Sequence, residues 1–194
     1  HETTANALTW ALYLLAQYPS LAANLAAELD TVLGGRKPTV ADLPKLTYTS
    51  WFFAEALRLY PPAWLIGRRA IAPVTLGDVR VAPDTIVLLS PWLMHHDPRF
   101  FPEPYHCDPL RHTPEAQAQR PKFAFFPFGG GPRTCIGEPF AWMEGILVLA
   151  TLAQRWQFLP VADHPVVLQT GITLRPRYGM QLQLRERRTV LGAA

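Results

Sequence analysis

The sequence predicts a mainly α-helical fold with small β-sheets. Four segments have the apolar, alanine- and leucine-rich composition of helices, and short alternating stretches typical of strands lie between and after them. Twenty prolines, about twice the usual share for 194 residues, indicate long irregular connections. Since 49% of the residues are hydrophobic, the chain is apolar enough to bury a core as one domain.

Proline and glycine set the limits of the helices. The first helix, within residues 1–18, ends before Pro19, where a second helix begins. The third helix, at 48–60, is apolar on nearly every side, which is typical of a buried helix. The fourth helix is expected over residues 138–156.

Strand signals occur in two places. Residues 74–90 contain two short apolar stretches joined by Gly77-Asp78, which is the pattern of a hairpin, followed by a further strand. Residues 166–185 contain alternating stretches that predict a small terminal sheet. Between the two regions, residues 97–127 begin as a proline-rich meander that we expect to be loop.

Charge and cysteine content exclude several classes of protein. A net charge of +3 is too small to predict nucleic-acid binding. The two cysteines, Cys107 and Cys135, cannot form the disulfide framework of a small secreted domain. The longest apolar run, Gly145 to Ala153, is shorter than the ~20 residues of a membrane-spanning helix, and no signal peptide is visible. We therefore expect a cytoplasmic protein with no membrane span in this chain.

The most informative stretch is residues 128–137, Phe-Gly-Gly-Gly-Pro-Arg-Thr-Cys-Ile-Gly. Its glycines let the backbone curl around Cys135, since glycine accepts positive φ without steric cost. The helix that follows directs its N-terminal amides and the positive end of its dipole at the sulfur, and Arg133 adds positive charge. A buried, electron-rich sulfur of this kind is a ligand that soft metals prefer.

Other functions fit this loop less well. A structural cysteine needs neither the glycines nor the arginine. A phosphatase loop needs an arginine six residues after its cysteine, where this chain has Ala141, and a phosphate-binding loop needs Lys-Ser or Lys-Thr after its glycines. The pattern Phe-x-x-Gly-x-Arg-x-Cys-x-Gly instead resembles the haem-ligand signature of the cytochrome P450 monooxygenases. Five residues fill it: Phe128, Gly131, Arg133, Cys135 and Gly137.

This resemblance implies a cofactor and its axial ligand. Cys135 would bind the iron of haem b as a thiolate and supply electron density that helps to cleave the O–O bond, and Phe128 would lie against the haem. The resemblance also implies that nearly the whole chain is the C-terminal half of the cytochrome P450 fold, beginning inside the long oxygen-binding helix.

The start of the chain carries a second likeness to this family. Glu2, Thr3 and Thr4 resemble the last three positions of the oxygen-helix motif, Ala/Gly-Gly-x-Asp/Glu-Thr-Thr/Ser. In that role the acid Glu2 and the hydroxyl of Thr3 would pass protons to the oxygen that is being activated. From the residues alone, the N-terminal cap of a helix is the alternative.

Glu55 and Arg58 are the only charges of the third helix and lie on one face. An exposed pair of this kind contributes little to stability, but this helix offers little wet surface, and a buried pair needs further hydrogen bonds. The pair resembles the family's Glu-x-x-Arg motif, whose third partner is an arginine in the meander. Arg111 is the candidate for that partner, and His112 stands where the family has an aromatic residue.

Three basic side chains are candidates for binding the haem propionates. The resemblance places an arginine just before the hairpin, which favours Arg68, and Arg133 lies in the cysteine loop. His95 is a third candidate. The alternatives are a solvent-facing arginine at a strand edge for Arg68 and an ordinary helix-end histidine for His95.

The resemblance implies a haem-thiolate monooxygenase that inserts one atom of O2 into a hydrophobic small molecule. Electrons would come from a ferredoxin or a flavin reductase, and the basic residues Arg120, Lys122 and Arg133 are candidates for facing an acidic partner. Two alternatives remain open: a non-catalytic fragment with weak or no haem binding, and a haem-thiolate peroxide isomerase or dehydratase. The Glu2-Thr3 pair argues against the second, because such an enzyme needs no proton relay.

Overall fold

The structure, a computed structural model, describes residues 1–187. Its helices are α1 (Glu2–Gln17), α2 (Pro19–Leu33), α3 (Thr47–Leu59), α4 (Pro91–His95), α5 (Pro114–Ala118) and α6 (Glu138–Arg155). Its strands are β1 (Ile66–Arg69), β2 (Val74–Leu76), β3 (Val79–Val81), β4 (Ile86–Leu89), β5 (Trp156–Pro160), β6 (Leu168–Thr170), β7 (Leu174–Pro176) and β8 (Leu182–Glu186). Short 3-10 turns occupy Val40–Lys45, Pro109–His112 and Gly131–Arg133. The predicted fold class, mainly α with small sheets, is confirmed.

The four long helices enclose the core. Helices α1, α3 and α6 pack against one another, and α2 packs against all three. Trp10 on α1, Phe52 on α3 and Leu149 on α6 have no exposed surface. As the apolar composition predicts, α3 is buried on nearly all sides. Within residues 1–187, no helix combines the length and apolarity needed to cross a membrane.

Helices α3 and α6 approach so closely that their contact requires a glycine. A β-carbon at Gly145 would overlap the ring of Phe53, so a larger residue there would push the two helices apart. Trp142, on the same helix, packs edge-on against the same ring with centroids 5.6 Å apart. This contact fixes α6, and the glycine-rich loop before it, against the buried helix.

The strands form four separate antiparallel pairs. Strands β2 and β3 make a hairpin about Gly77, whose φ is 58°. Strand β4 pairs with β1 instead of extending this hairpin. Near the C terminus, β8 pairs with β5 and β6 pairs with β7, so the strands of the terminal region at 166–185 belong to two separate antiparallel pairs. Alternation along the chain predicts a strand but carries no information about its partner.

The β6–β7 hairpin is held against the start of α1. The indole Nε1 of Trp10 donates to the carbonyl of Leu174 at 3.2 Å, and the backbone N–H of Leu174 donates to the carbonyl of Pro62 at 2.9 Å. The indole of Trp64 donates to the carbonyl of Gly171 at 2.9 Å. The tip of the hairpin therefore lies beside the first turn of α1 and the segment that precedes β1.

Helix α1 begins at Glu2 with no side-chain cap hydrogen bond. Thr3 and Thr4 lie in its first turn, and their assignment to the oxygen-helix motif stays a prediction. The bounds of α3 and α6 agree with the predicted ranges to within one residue.

Candidate functional site

A cavity of about 530 Å³ lies where α1, α3, α6 and the cysteine loop (residues 128–137) meet. This volume is typical of pockets for small organic ligands. Much of the wall is apolar and includes Ala7, Phe53 and Leu57. Seven of the residues singled out from the sequence also line it: Thr3, Thr4, Arg68, Phe128, Arg133, Cys135 and Gly137.

Cys135 stands near the end of the cysteine loop, at the cavity wall. Its backbone N–H donates to the carbonyl of Phe128 at 3.0 Å, which closes the loop, and its carbonyl accepts from the N–H of Glu138 at 3.2 Å, where α6 begins. Gly129 and Gly131 have φ values of 75° and 71°, in the left-handed region that glycine enters without strain. The loop therefore turns through its glycines and leaves the cysteine side chain exposed.

Two arginines lie at the same cavity. Arg133 ends the 3-10 turn inside the cysteine loop, and Arg68 lies on β1. Nη1 of Arg68 donates to the carbonyl of Gly67 at 2.9 Å. Among residues 1–187, neither guanidinium forms an ion pair with a carboxylate. Both planar groups are therefore available to bind the carboxylates of a ligand.

The first turn of α1 presents Glu2 and Thr3 to different surroundings. Thr3 lines the cavity, whereas Glu2 does not. Oε1 of Glu2 instead accepts a hydrogen bond from the hydroxyl of Thr173 at 3.2 Å. Successive residues of an α-helix are rotated by about 100°, so neighbouring side chains point in different directions. The structure thus brings only one of the two candidate proton donors to the cavity wall.

The side chains around the cavity fit a haem bound through a thiolate. The sulfur of Cys135 lies at the wall, and Phe53 and Leu57 offer apolar surface suited to a flat macrocycle. Arg68 and Arg133 supply two guanidinium groups on the same cavity, which matches the two propionates of the macrocycle.

His95 does not reach the cavity, and its assignment as a propionate ligand is corrected here. The side chain is fully buried, and its Nε2 accepts the backbone N–H of Phe126 at 3.0 Å. Burial lowers the pKa of His95 to about 3, so the ring is neutral and its Nε2 lone pair is available to that N–H. The His-His-Asp pattern gives no sign of this role, because the partner lies 31 residues away in the sequence.

Glu55 and Arg58 form an ion pair inside α3, and neither side chain has any exposed surface. Two hydrogen bonds join them, from Nε to Oε2 at 2.7 Å and from Nη2 to Oε1 at 2.8 Å. The guanidinium also donates to the carbonyls of His95, Pro104 and His106 at 2.8, 2.7 and 3.2 Å. Arg58 therefore holds the carbonyl of the last residue of α4 and two carbonyls of the irregular chain that follows it.

The carboxylate of Glu55 has further partners in the meander. The backbone N–H of Asp108 donates to Oε1 at 2.9 Å, and Nε2 of His112 donates to Oε2 at 3.0 Å. Nε of Arg111 lies 3.7 Å from Oε1, and its Nη2 donates to the carbonyl of Glu103 at 3.3 Å. Arg111 thus stands beside the pair. His112 lies closer to the Glu55 carboxylate than Arg111 does. In the sequence, the only sign of this role was that a histidine replaces the aromatic residue of the family pattern.

Protonation of this network destabilises the folded state. Burial alone raises the pKa of Glu55, but hydrogen bonds from Arg58 and His112 outweigh it and hold the pKa below its ordinary value. Burial lowers the pKa of His112. Both pKa values are depressed on folding, so each group contributes stability above its unfolded-state pKa and loses it as pH falls through the folded-state pKa. The loss begins near pH ~6.5 for His112 and near pH ~4.3 for Glu55.

A series of hydrogen bonds connects the ion pair to the cysteine loop. Arg58 binds the carbonyl of His95, whose ring accepts the N–H of Phe126. The carbonyl of Phe126 then accepts the N–H of Gly129 at 3.0 Å, inside the loop. Because the same helix also lines the cavity through Phe53, α3 supports the site in two ways.

Comparisons with known proteins agree with this geometry. The family model for cytochrome P450 matches residues 1–184. The chain is 46% identical over 181 residues to cyclooctatin synthase of Streptomyces melanosporofaciens, a match that covers 93% of this chain and 38% of that protein. It is 40% identical over 172 residues to pentalenene oxygenase of Streptomyces avermitilis, covering 87% of this chain and 38% of that protein.

The fold is also similar to the crystal structure of a cytochrome P450. The TM-score is 0.88 at 30% sequence identity, over 96% of this chain and 43% of the other chain. The chain therefore spans well under half the length of the proteins and the structure that it matches.

We predict that Glu55→Ala, in the protein that contains this chain, strongly reduces the yield of folded protein. Removal of the carboxylate leaves Arg58 buried without its charge partner, at a cost of ~3–5 kcal/mol. That is a large part of the ~5–15 kcal/mol that stabilises a domain. The measurement is the soluble yield, the haem content per protein and the midpoint of urea unfolding.

Arg99→Ala is the matched control, because it removes an arginine from an ion pair with Asp97 in which the guanidinium is largely exposed. We expect its yield, haem content and unfolding midpoint to equal those of the unmodified protein. A Glu55→Ala protein that unfolds at the same midpoint as this control contradicts the structural role assigned to the buried pair.

Proposed function

We propose a function from the premise that this chain belongs to the cytochrome P450 family, as the match of the family model to residues 1–184 shows. The protein that contains the chain acts as a haem-thiolate monooxygenase, which inserts one atom of O2 into a hydrophobic organic substrate. The position of Cys135 carries this proposal, since its sulfur lies on a largely apolar cavity at the end of a closed glycine loop.

The chain's own residues would bind and orient the cofactor, haem b. When bound, the haem supplies the oxygen activation that amino-acid side chains lack. The thiolate of Cys135 would bind its iron and Phe128 would pack against it, while Arg68 and Arg133 would hold its propionates. All four residues line the one cavity, which supports their assignment to a common ligand.

Thr3 and Glu2 would deliver protons in two stages. The hydroxyl of Thr3, at the cavity wall, would pass a proton into the cavity. Glu2 is exposed and lies outside the cavity, so its carboxylate would take a replacement proton from water. The adjacency of these residues on one helical turn supports such a relay.

The electron donor would be a separate ferredoxin or flavin reductase. Lys122 is exposed near the cysteine loop and would face an acidic surface of that partner, whereas the cavity position of Arg133 favours a propionate over the partner surface. Arg120 is half-buried and stacks over Phe101 at 4.9 Å, so it is the weakest of the three basic candidates. A cytoplasmic location stays a prediction, with which two free cysteines agree.

A hydrophobic substrate fits the apolar part of the cavity wall. Two relatives are named pentalenene oxygenase and cyclooctat-9-en-7-ol 5-monooxygenase, and these names refer to the compounds that they oxygenate. We propose a substrate of comparable hydrophobic character for the protein that contains this chain.

Cys135→Ala should abolish the thiolate-type difference spectrum that carbon monoxide produces with the reduced protein, because the axial ligand is lost. Cys107→Ala is the matched control and should leave the spectrum intact. Cys107 is buried and does not line the cavity. Burial also raises the pKa of its thiol, so the thiol stays protonated. A normal spectrum in Cys135→Ala protein overturns the proposed ligand. A thiolate spectrum without reductase-driven product formation would favour peroxide isomerisation or dehydration instead.

Thr3→Ala should preserve haem and substrate binding but uncouple the reaction, so that reductant is consumed and peroxide is released in place of product. The hydroxyl is needed only for late proton delivery, which explains why binding is spared. We expect the product formed per reductant consumed to fall at least about tenfold.

Thr9→Ala is the control for this experiment. Its hydroxyl lies on the same helix, donates to the carbonyl of Ala5 at 2.8 Å and does not line the cavity. Its coupling should equal that of the unmodified protein. Full coupling in Thr3→Ala protein would leave Thr3 with no part in proton delivery.

A further inference from the structure

We infer that Thr173, at the tip of the β6–β7 hairpin, is a positioning residue that holds the carboxylate of Glu2 in place for proton delivery. The inference rests on the proposed monooxygenase function and adds to it a residue far from the recognised motifs. Thr173 does not line the cavity, so its effect must pass through Glu2.

Two hydrogen bonds connect the hairpin tip to α1. Oγ1 of Thr173 donates to Oε1 of Glu2 at 3.2 Å and accepts from Nδ2 of Asn6 at 3.1 Å. Asn6 follows Glu2 by four residues, so both side chains lie on one face of the helix. Thr173 is 171 residues from Glu2 in the sequence, which makes this contact a product of the tertiary fold alone.

The direction of these bonds is set by their chemistry. The amide nitrogen of Asn6 can only donate, so it occupies a lone pair of the Thr173 oxygen. The single proton of that hydroxyl is then available to Glu2, whose carboxylate accepts it. Asn6 thereby orients the hydroxyl, and the hydroxyl orients the acid.

The hairpin tip is a fixed point because it is anchored on both sides of Thr173. The carbonyl of Gly171 accepts from the indole of Trp64 at 2.9 Å. The carbonyl of Leu174 accepts from the indole of Trp10 at 3.2 Å, and Trp10 is fully buried. A side chain held to this tip is held relative to the core of the protein.

The clamp, which consists of the hydrogen bonds that join Thr173 to Glu2 and to Asn6, has a consequence for proton delivery. A glutamate on the surface of a first helical turn would otherwise sample several rotamers, and ordering it costs side-chain entropy. Held by Thr173, the carboxylate keeps one position, on the residue that precedes Thr3 in the helix. Loss of the clamp should therefore lower coupling without changing the cavity.

The test compares Thr173→Val with Thr173→Ser in the haem-loaded protein, with Thr170→Val as control. Thr170 is an exposed threonine of β6 in the same hairpin. We expect Thr173→Val to lower the product formed per reductant by about twofold to tenfold, the effect of one hydrogen bond. Thr173→Ser keeps the hydroxyl, so its coupling should equal that of the unmodified protein. Thr170→Val should also leave coupling unchanged. The spectral dissociation constant for substrate should be equal in the three variants and the unmodified protein.

A crystal structure of Thr173→Val protein provides a readout that does not depend on turnover. The carboxylate of Glu2 should leave the position it occupies against the hairpin, whereas in Thr170→Val protein it should stay there. A second variant, Asn6→Ala, tests the same clamp if Thr173→Val does not fold. Its product formed per reductant should fall by about twofold relative to the unmodified protein, and a variant with unchanged coupling contradicts the clamp.

The outcomes separate this inference from the function on which it rests. An unmodified protein with no thiolate spectrum and no coupled turnover contradicts the proposed function, and the inference with it. Normal function with equal coupling in Thr173→Val and Thr170→Val proteins contradicts the inference alone. A Thr173→Ser protein that is as poorly coupled as Thr173→Val also contradicts the inference, because coupling would then not depend on the hydroxyl group at position 173.

Discussion

Inside α3, a carboxylate and a guanidinium have been removed completely from water. Each ion loses its hydration at a large cost, and mutual attraction offsets that cost only when the remaining donors and acceptors also find partners. Glu55 and Arg58 find them in the irregular chain between α4 and α5, as backbone groups and the ring of His112. Since that chain has little regular structure of its own, these hydrogen bonds define its path. The pair therefore specifies the arrangement of the meander more than it adds net stability.

The cysteine loop depends on the same arrangement. The carbonyl of His95 is held by Arg58, the ring of His95 holds the N–H of Phe126, and the carbonyl of Phe126 holds the N–H of Gly129. These contacts are made entirely by protein groups, so the loop is placed by the fold. A ligand atom on a preorganised loop binds without a further ordering cost. The position of Cys135 at the cavity wall is in this sense a consequence of a charge pair buried in a neighbouring helix.

Much of this could be predicted from local pattern. The helices follow from apolar composition and from proline and glycine at their ends, and the turn of the cysteine loop follows from glycines that adopt positive φ. The roles of His95, His112 and Thr173 could not be predicted, because their partners are 31, 57 and 171 residues away. Apart from the β2–β3 hairpin, the strand pairs could not be predicted either, since alternation identifies a strand and leaves its neighbour open. Contacts between residues that are distant in the sequence produce no periodic pattern in it.

The division between Glu2 and Thr3 follows from helix geometry. Neighbouring side chains of a helix are rotated by about 100°, so they can face different surroundings. Thr3 lines the cavity, whereas Glu2 is exposed and shares one face of the helix with Asn6, one turn later. A second element is needed to fix the outer residue, and the hairpin tip occupies that position through Thr173.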